Sequence, residues 1–163
     1  MLISHSTRRR LLERARQFFG GMPCRVQVAA LPWRRAGSDV EIMLVTSRGA
    51  GRWVLPKGWP EASERLAEAA AREAAEEAGI SGGVSEYEAG RFYYEKVLPT
   101  GLEWHCEVHV FPLEVDSVAD RWPEMKKRKR RWFRAVDAAK LVSEPDLAEL
   151  IARFGANPRQ IAA

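Results

Sequence analysis

The stretch SERLAEAAAREAAEEAG, which begins at Ser63 and ends at Gly79, constrains the fold more than any other part of this 163-residue chain. It consists of strong helix formers, with Ser63 predicted as the N-cap and Gly79 standing where a helix should stop. At about 100° per residue, a stripe of alanines lies beside an arc of three carboxylates. We therefore predict a helix over residues 64–78 that packs closely on a sheet and carries Glu73, Glu76 and Glu77 on one side.

Apolar and β-branched runs on both sides of this helix predict a sheet. The expected strands are residues 25–33, 40–47, 52–55, 87–98, 102–113 and 130–133. The fourth and fifth of them, separated by Pro-Thr-Gly, should form an antiparallel hairpin. Residues 56–60 and 114–125 are expected to be loops, because proline, glycine and polar residues dominate them. Two closing helices are predicted over residues 136–142 and 145–154.

The length and composition fit one folded unit. A chain of 163 residues with 46% hydrophobic residues can bury a core without crosslinks. Strands around a central helix, with further helices at both ends, predict an α/β sandwich that contains a mixed sheet. The Arg-rich, amphipathic residues 1–20 are expected to be an N-terminal helical extension, and residues 21–163 a single domain.

The sequence also predicts a cytoplasmic protein without membrane contact. No apolar run reaches the roughly 20 residues that span a bilayer, and residues 1–20 lack the uncharged core of a secretory signal. An Arg-rich, amphipathic transit peptide is the alternative for this segment, but Glu13 and the short length favour an ordinary helix. Cys24 and Cys106 are too few for a disulfide framework, so both are expected to be reduced, buried thiols. The three histidines are scattered and are interpreted as structural. Oligomeric state has no signal in the sequence.

The three helical carboxylates call for a counter-charge. Like charges on adjacent turns repel one another, and hard divalent cations with oxygen ligands are a usual way to offset this. The alternative is a solvated face balanced by Arg65 and Arg72. The preceding loop decides between them, since the whole stretch over residues 58–80 reads GWPEASERLAEAAAREAAEEAGI.

This stretch resembles the Nudix box, G-x5-E-x7-R-E-U-x-E-E-x-G-U, in which U is a bulky aliphatic residue. The matching fixed positions are Gly58, Glu64, Arg72, Glu73, Glu76, Glu77, Gly79 and Ile80. Ala74 is the one departure, at a position where a larger aliphatic residue is usual, and it affects packing rather than chemistry. The resemblance implies a Nudix-like α/β/α sandwich and hydrolysis of a diphosphate linkage by water.

The resemblance also implies a role for each matching residue. The implied ligands of Mg²⁺ or Mn²⁺ are the Gly58 backbone oxygen and the carboxylates of Glu73, Glu76 and Glu77. Either Glu73 or Glu77 would also take the proton from the attacking water. Arg72 would orient a box carboxylate, and Glu64 would pair with Arg72 or join the outer metal shell.

Two flanking strings resemble the branch of the family that acts on diphosphoinositol polyphosphates and diadenosine polyphosphates. They are RWVLPKG, before the box, and WPE followed by a basic run and RWF. Several cations near one cleft would favour a small, highly anionic polyphosphate substrate. The predicted substrate-binding residues are Arg48, Arg52, Lys57, Lys129 and Arg131. The basic run over residues 126–131 is equally compatible with a solvated loop and strand edge.

Several alternatives stay open. Other substrates of the family include ADP-ribose, further nucleoside diphosphate derivatives and RNA 5′ ends; no other nucleic acid is expected. A remote alternative is a non-catalytic binding module that has kept the fold. A fourth carboxylate ligand from outside the box could be Glu103, Glu107 or Glu124. An aromatic group could stack on a base or simply pack within the hairpin: Phe92, Tyr93, Tyr94 and Trp104.

Overall fold

The computed structural model of the protein describes residues 4–158. Its helices are α1 His5–Phe18, α2 Leu66–Ala78, α3 Ala135–Leu141 and α4 Pro145–Ala156. Its strands are β1 Arg25–Ala36, β2 Asp39–Thr46, β3 Trp53–Val54, β4 Lys57–Gly58, β5 Ile80–Val84, β6 Gly90–Val97, β7 Glu103–Val118 and β8 Arg130–Arg134. The expected helices are therefore present, and the strands follow the predicted order with two additions, β4 and β5.

Within the described residues, eight strands form one mixed sheet with the central order β3-β2-β1-β7-β5. Strand β4 pairs with β1, β6 with β7, and β8 with β2. Strands β1 and β7 run parallel, with Val28 opposite His109, whereas β4 runs antiparallel to β1, with Gly58 opposite the same Val28. The predicted mixed sheet is confirmed, and its topology brings the box glycine next to the central strand β1, on the edge opposite β7.

Helices cover both faces of the sheet, as expected for an α/β/α sandwich. On one face Leu31 and Ile42 pack against Leu147 and Phe154 of α4. On the other face the sheet packs against the alanine stripe of α2, whose buried members are Ala67, Ala70, Ala74 and Ala78. Ala74 is fully buried. Small side chains let the helix approach the sheet closely, which fixes the distance between α2 and strand β4.

The start of α2 differs from the prediction. Arg65, not Ser63, is the N-cap residue, and the helix begins at Leu66. The Arg65 backbone N–H donates to the Glu68 carboxylate at 3.3 Å, which supports the first turn from inside the helix. Ser63 adopts a left-handed conformation with φ 68° in the preceding turn and so cannot cap the helix.

The sheet is also larger than predicted. Residues 114–118, expected to be a loop, continue β7, because they pair with the unpredicted strand β5. The β5 sequence, ISGGV, contains two glycines and lacks the β-branched pattern that marks a strand. Within the expected loop over residues 56–60, Lys57 and Gly58 form β4 by pairing with β1.

Helix α1 lies within the predicted N-terminal extension, of which residues 1–3 fall outside the described part of the chain. The backbone N–H of His5 donates to Glu149 of α4 at 3.1 Å, and Glu13 accepts from Cys24 Sγ at 3.2 Å.

Cys24 and Cys106 are both free thiols. Cys106 is buried, as predicted, whereas Cys24 is only half-buried because it lies at the edge between α1 and β1. None of the helices in residues 4–158 is long and apolar enough to cross a membrane.

Replacing Gly79 with alanine is expected to lower the free energy of unfolding by about 2–4 kcal/mol. The reasons are that alanine is strained in a left-handed backbone conformation and that its Cβ would clash with a neighbouring side chain. Gly79 ends α2 with φ +63°, and an added Cβ would lie 2.6 Å from Trp122 Cβ. Gly37→Ala is a matched control, since Gly37 has the same φ but no heavy atom within 4 Å of an added Cβ. Urea denaturation should show the larger loss at Gly79; equal losses would contradict close packing of Trp122 on the helix end.

Candidate active site

Glu73 and Glu77 lie one turn apart on α2, over strand β4. They are 9% and 7% exposed, although both are carboxylates. A Cβ added to Gly58 would come within 2.2 Å of Glu73 Oε1. The glycine is therefore required for close approach of the Glu73 carboxylate to the β4 backbone. This corrects the prediction of a loop over residues 56–60, since Gly58 lies in an extended strand.

Glu77 is held through both carboxylate oxygens. The Lys57 backbone N–H donates to Oε2 at 3.2 Å, and the Arg128 guanidinium donates to Oε1. Burial raises the pKa of Glu77 to about 7, against the opposing effects of the Arg128 and Lys57 charges. Burial also raises the pKa of Glu73. Both groups therefore bind protons more readily than an exposed glutamate does.

Arg72 connects the box residues to one another. Its Nε and Nη2 donate to the two oxygens of Glu64 at 3.0 and 3.1 Å, and Nη1 donates to Glu73 Oε1 at 2.9 Å. Nη2 also donates to the Trp59 carbonyl at 3.0 Å. Hydrogen bonds from Arg72 lower the pKa of Glu64. Of the two arrangements considered for Glu64, the structure has the pairing with Arg72; Glu76 lies farther out, with its Oε1 3.5 Å from Arg72.

Arg128 also belongs to the site, although its position in the sequence did not predict this. Its side chain is 6% exposed and, besides Glu77, contacts Glu124 Oε2 at 2.5 Å and the Thr46 carbonyl at 3.0 Å. Glu124 is thereby brought next to the box. Glu107 instead lies within 3.2 Å of His109 and 2.5 Å of Arg91, and Glu103 is exposed. The i,i+4 rule for helices gave no signal for this pair, because residues 123–127 form a turn.

The basic run over residues 126–131 separates into different environments. Arg130 donates to the carbonyl of Ala78 at 2.6 Å and stacks over Trp122 at 3.8 Å, so it satisfies the carboxyl end of α2. Lys129 and Arg131, predicted to bind substrate, are exposed. The Lys129 backbone bonds to Thr46, and the Arg131 guanidinium lies 6.0 Å from the Phe133 ring centre.

A cavity of about 300 Å³ lies near the Lys57 side chain at the start of α4, and no residue of the box lines it. Its lining includes Arg52, Tyr94, Glu95, Ser143, Glu144 and Pro145. Lys57 Nζ lies 5.2 Å from the Tyr94 ring centre, and burial lowers the pKa of Lys57 while Glu77 and Glu144 oppose the shift. Lys57 thus links the cavity to Glu77. Two larger cavities, of about 510 and 440 Å³, lie under α1, and no box carboxylate lines either of them.

The hairpin aromatics have separate environments. Phe92 is 2% exposed and packs in the core between the sheet and α4. Tyr94 lines the cavity and donates its hydroxyl to Gln27 at 2.5 Å. The Trp104 ring contacts Trp59 edge-on at 5.9 Å and is covered by Arg25 at 3.5 Å. Phe92 is therefore a packing residue, and Tyr94 is the hairpin aromatic nearest to Lys57.

The donor chemistry of the site fits Mg²⁺ or Mn²⁺, since such ions prefer carboxylate and carbonyl oxygens. The residues that would supply them are Gly58, Glu73, Glu76 and Glu77. Within residues 4–158, however, no three His, Cys, Asp or Glu side chains converge as a metal-binding group. Arg72 pairs with Glu73 and Arg128 with Glu77, so these arginines compete with a divalent ion for the same oxygens.

Comparison with known protein families agrees with this geometry. A family model described as the NUDIX domain matches residues 24–154. Nudix hydrolase 21, chloroplastic, from Arabidopsis thaliana is 31% identical over 131 residues, which cover 78% of this chain and 64% of that protein. The chain thus spans less than two thirds of that relative's length. Diphosphoinositol polyphosphate phosphohydrolase 3-alpha from Mus musculus is 30% identical over 118 residues, covering 71% of this chain and 68% of that protein.

A solved structure supports the fold. A C. elegans Ap4A hydrolase in a binary complex superimposes with a TM-score of 0.62 at 23% identity, covering 80% of this chain and 95% of that chain. The shared architecture extends over most of both chains, and the sequence motif, the family model and the fold therefore point to the same class of protein.

Proposed function

This chain belongs to the Nudix hydrolase family, and we propose that it cleaves a diphosphate linkage in a small, highly anionic substrate with the help of Mg²⁺ or Mn²⁺. The substrate class that we favour is diadenosine polyphosphates or diphosphoinositol polyphosphates. The observation that carries the proposal is the position of Lys57: its backbone bonds to Glu77, and its ammonium group lies beside a cavity that Arg52 also lines. A diphosphate bound next to Lys57 would have Glu77 and the other box carboxylates on one side, and Lys57 and Arg52 on the other.

The residues divide the chemistry between them. The carboxylates of Glu73, Glu76 and Glu77 would hold a divalent ion, which would supply positive charge to offset the charge of the diphosphate and of the leaving phosphate. Glu73 or Glu77 accepts a proton from the attacking water. Burial raises the pKa of both groups, and the pKa of Glu77, about 7, suits a base near neutral pH. Water forms the new P–O bond as the bond to the bridging oxygen breaks. Arg72 keeps Glu73 in place, and Lys57 attracts the substrate phosphates.

Two lines of support favour a polyphosphate substrate. The mouse relative is named as a diphosphoinositol polyphosphate phosphohydrolase, and the C. elegans structure is an Ap4A hydrolase. Independently, cations surround the site: Arg52 lines the cavity, and Arg48 lies 3.8 Å from Glu124. Lys129 and Arg131, exposed on the neighbouring strand edge, complete the proposed substrate-binding set with Lys57. Several cations around one cleft raise the local concentration of a polyanion.

The proposal predicts metal-dependent turnover of a polyphosphate. Phosphate and nucleotide release should be measured with diadenosine tetraphosphate, a diphosphoinositol polyphosphate and ADP-ribose, each with Mg²⁺ or Mn²⁺ and with chelator. We expect cleavage of at least one polyphosphate with metal and none with chelator. Cleavage of ADP-ribose alone would keep the reaction and reject the substrate class. No metal-dependent cleavage of any diphosphate would reject the enzyme and favour a binding module.

We also propose that the protein acts in the cytoplasm on a small molecule. The free thiols of Cys24 and Cys106 suit a reducing compartment, and a cavity of about 300 Å³ suits a small ligand. The name of the Arabidopsis relative specifies a chloroplast location, so the compartment needs its own experiment. A fluorescent fusion in the native cell that accumulated in an organelle would reject this part of the proposal.

A further inference from the structure

Helix α1 forms part of the wall of the cavity beside Lys57, through Arg9. This helix precedes residues 24–154, which match the family model. It is attached near both ends, by the backbone N–H of His5 to Glu149 and by Glu13 to Cys24. Arg9 and Glu13 are four residues apart and so share one face of the helix. The face that docks on the domain therefore also presents Arg9 to the cavity.

Three acidic groups lie near Arg9 or line the same cavity. Glu95 lies 3.6 Å from His105. The negative charge of Glu144 raises the pKa of Lys57, against the larger effect of burial. The positive charge of Arg9 lowers the pKa of the buried Asp146, although burial raises it more. The Asp146 carboxylate accepts hydrogen bonds from the backbone N–H groups of Tyr93 at 2.9 Å and Leu147 at 3.1 Å. Glu95 and Glu144, the two carboxylates in the cavity lining, form no ion pair with Arg9 or Arg52 in residues 4–158.

The two guanidinium groups that line the cavity are, by contrast, available. Among residues 4–158, neither Arg9 nor Arg52 has a carboxylate within ion-pair distance. Both are exposed to solvent. A planar guanidinium presents several donors that match phosphate oxygens, often two at a time. Two such groups in the lining of one cavity, with Lys57 beside it, make a site for an anion that carries several phosphate groups.

We propose that Arg9, together with Arg52, binds the phosphates that lie beyond the scissile diphosphate, so that α1 selects substrates with three or more phosphate groups in a row. This inference rests on the proposed function. Because α1 lies outside the matched domain, the preference would belong to this chain's N-terminal helix and not to the box. A substrate with two phosphates would lack the further phosphates that Arg9 and Arg52 are proposed to bind.

The test compares Arg9→Glu with Arg8→Glu, which makes the same change of charge one residue away on a side chain that lines none of the cavities described above. Inorganic tripolyphosphate and pyrophosphate serve as competitive inhibitors of turnover, with free Mg²⁺ in excess. Losing one charge-assisted contact should weaken tripolyphosphate about tenfold in Arg9→Glu. The inhibition constant of pyrophosphate in Arg9→Glu should stay within about twofold of wild type. The inhibition constants of both inhibitors in Arg8→Glu should also stay within about twofold.

The proposal would be overturned if Arg9→Glu weakened the binding of tripolyphosphate and pyrophosphate equally, or if Arg9→Glu and Arg8→Glu had equal effects. Either result would mean that Arg9 acts only through long-range electrostatic attraction and does not contact a phosphate. Calorimetric titration of tripolyphosphate into Glu77→Gln and into Glu77→Gln with Arg9→Glu repeats the comparison without reliance on turnover. A wild-type protein that cleaves no diphosphate would reject the proposed function. The calorimetric comparison would then still decide whether Arg9 binds a polyphosphate.

Discussion

Replacing Glu77 with glutamine is expected to cut turnover of a diphosphate substrate by at least about 100-fold while the protein stays folded. Glutamine keeps the size of the side chain but removes its negative charge, and with it a charged metal ligand and a candidate base. The fold should tolerate the change, because burial already disfavours the charged form of Glu77. Arg128 would keep Glu124 and the Thr46 carbonyl as partners. Turnover should be measured at saturating metal, with thermal unfolding alongside.

Glu68→Gln is the matched control for this variant. Glu68 lies on the same helix, is exposed, and pairs with Arg65 at 3.9 Å on the side away from the sheet. Glutamine can still accept the Arg65 backbone N–H at this position. We expect its turnover to stay within about twofold of wild type, because exposed ion pairs contribute little. Near-normal turnover of Glu77→Gln would show that the catalytic carboxylates lie elsewhere.

The part of the site that lies on one helix was predictable from the sequence. A 3.6-residue period fixes which side chains share a face, so Glu73, Glu76 and Glu77 could be grouped without a structure. The alanine stripe likewise predicted the face that packs on the sheet. Contacts between the helix and its own preceding loop, such as Arg72 with Glu64, followed from the family motif rather than from periodicity.

The partners that come from distant segments were not predictable. Arg128 reaches Glu77 across 51 positions, and only the pairing of β8 with β2 places it there. In the sequence Arg128 is one of six consecutive basic residues, and nothing local separates it from its exposed neighbours. Gly58 was identified as a fixed position of the box, but only the structure shows that the neighbour that excludes a Cβ there is Glu73. Strand β5 was missed because its glycines hide the strand pattern.

Replacing Arg128 with methionine is expected to lower the free energy of unfolding by about 3–5 kcal/mol, because it leaves buried carboxylates without their counter-ion. The Arg128 side chain is 6% exposed, and the side chains of its partners Glu77 and Glu124 are 10% and 19% exposed. Arg48→Met is the control, since Arg48 contacts the same Glu124 at 3.8 Å but is 64% exposed. Its loss should be below about 1 kcal/mol. Urea denaturation with chelator present measures both; equal losses would contradict a buried ion pair.

The loss caused by Arg128→Met should also depend on pH. The folded-state pKa of Glu77, about 7, exceeds its ordinary value of 4.5, so between these values the folded protein retains a proton that the unfolded chain releases. Stability from this group therefore falls as pH rises across that window. Arg128 opposes the shift, and removing it should raise the pKa of Glu77 further. The variant should lose less stability at about pH 5 than at about pH 8; equal losses at both would exclude Glu77 as the group concerned.

Combining Arg128→Met with Glu77→Gln separates the ion pair from packing. If the main cost of Arg128→Met is a buried charge without a partner, neutralising Glu77 should recover part of it. The double variant should then be more stable than the sum of the single losses predicts, by about 1–3 kcal/mol. Full recovery is not expected, because Glu124 would still lack its contact with Arg128. Strict additivity of the two changes would instead mean that Arg128 stabilises the protein through Glu124 and the Thr46 carbonyl, with Glu77 contributing only to catalysis.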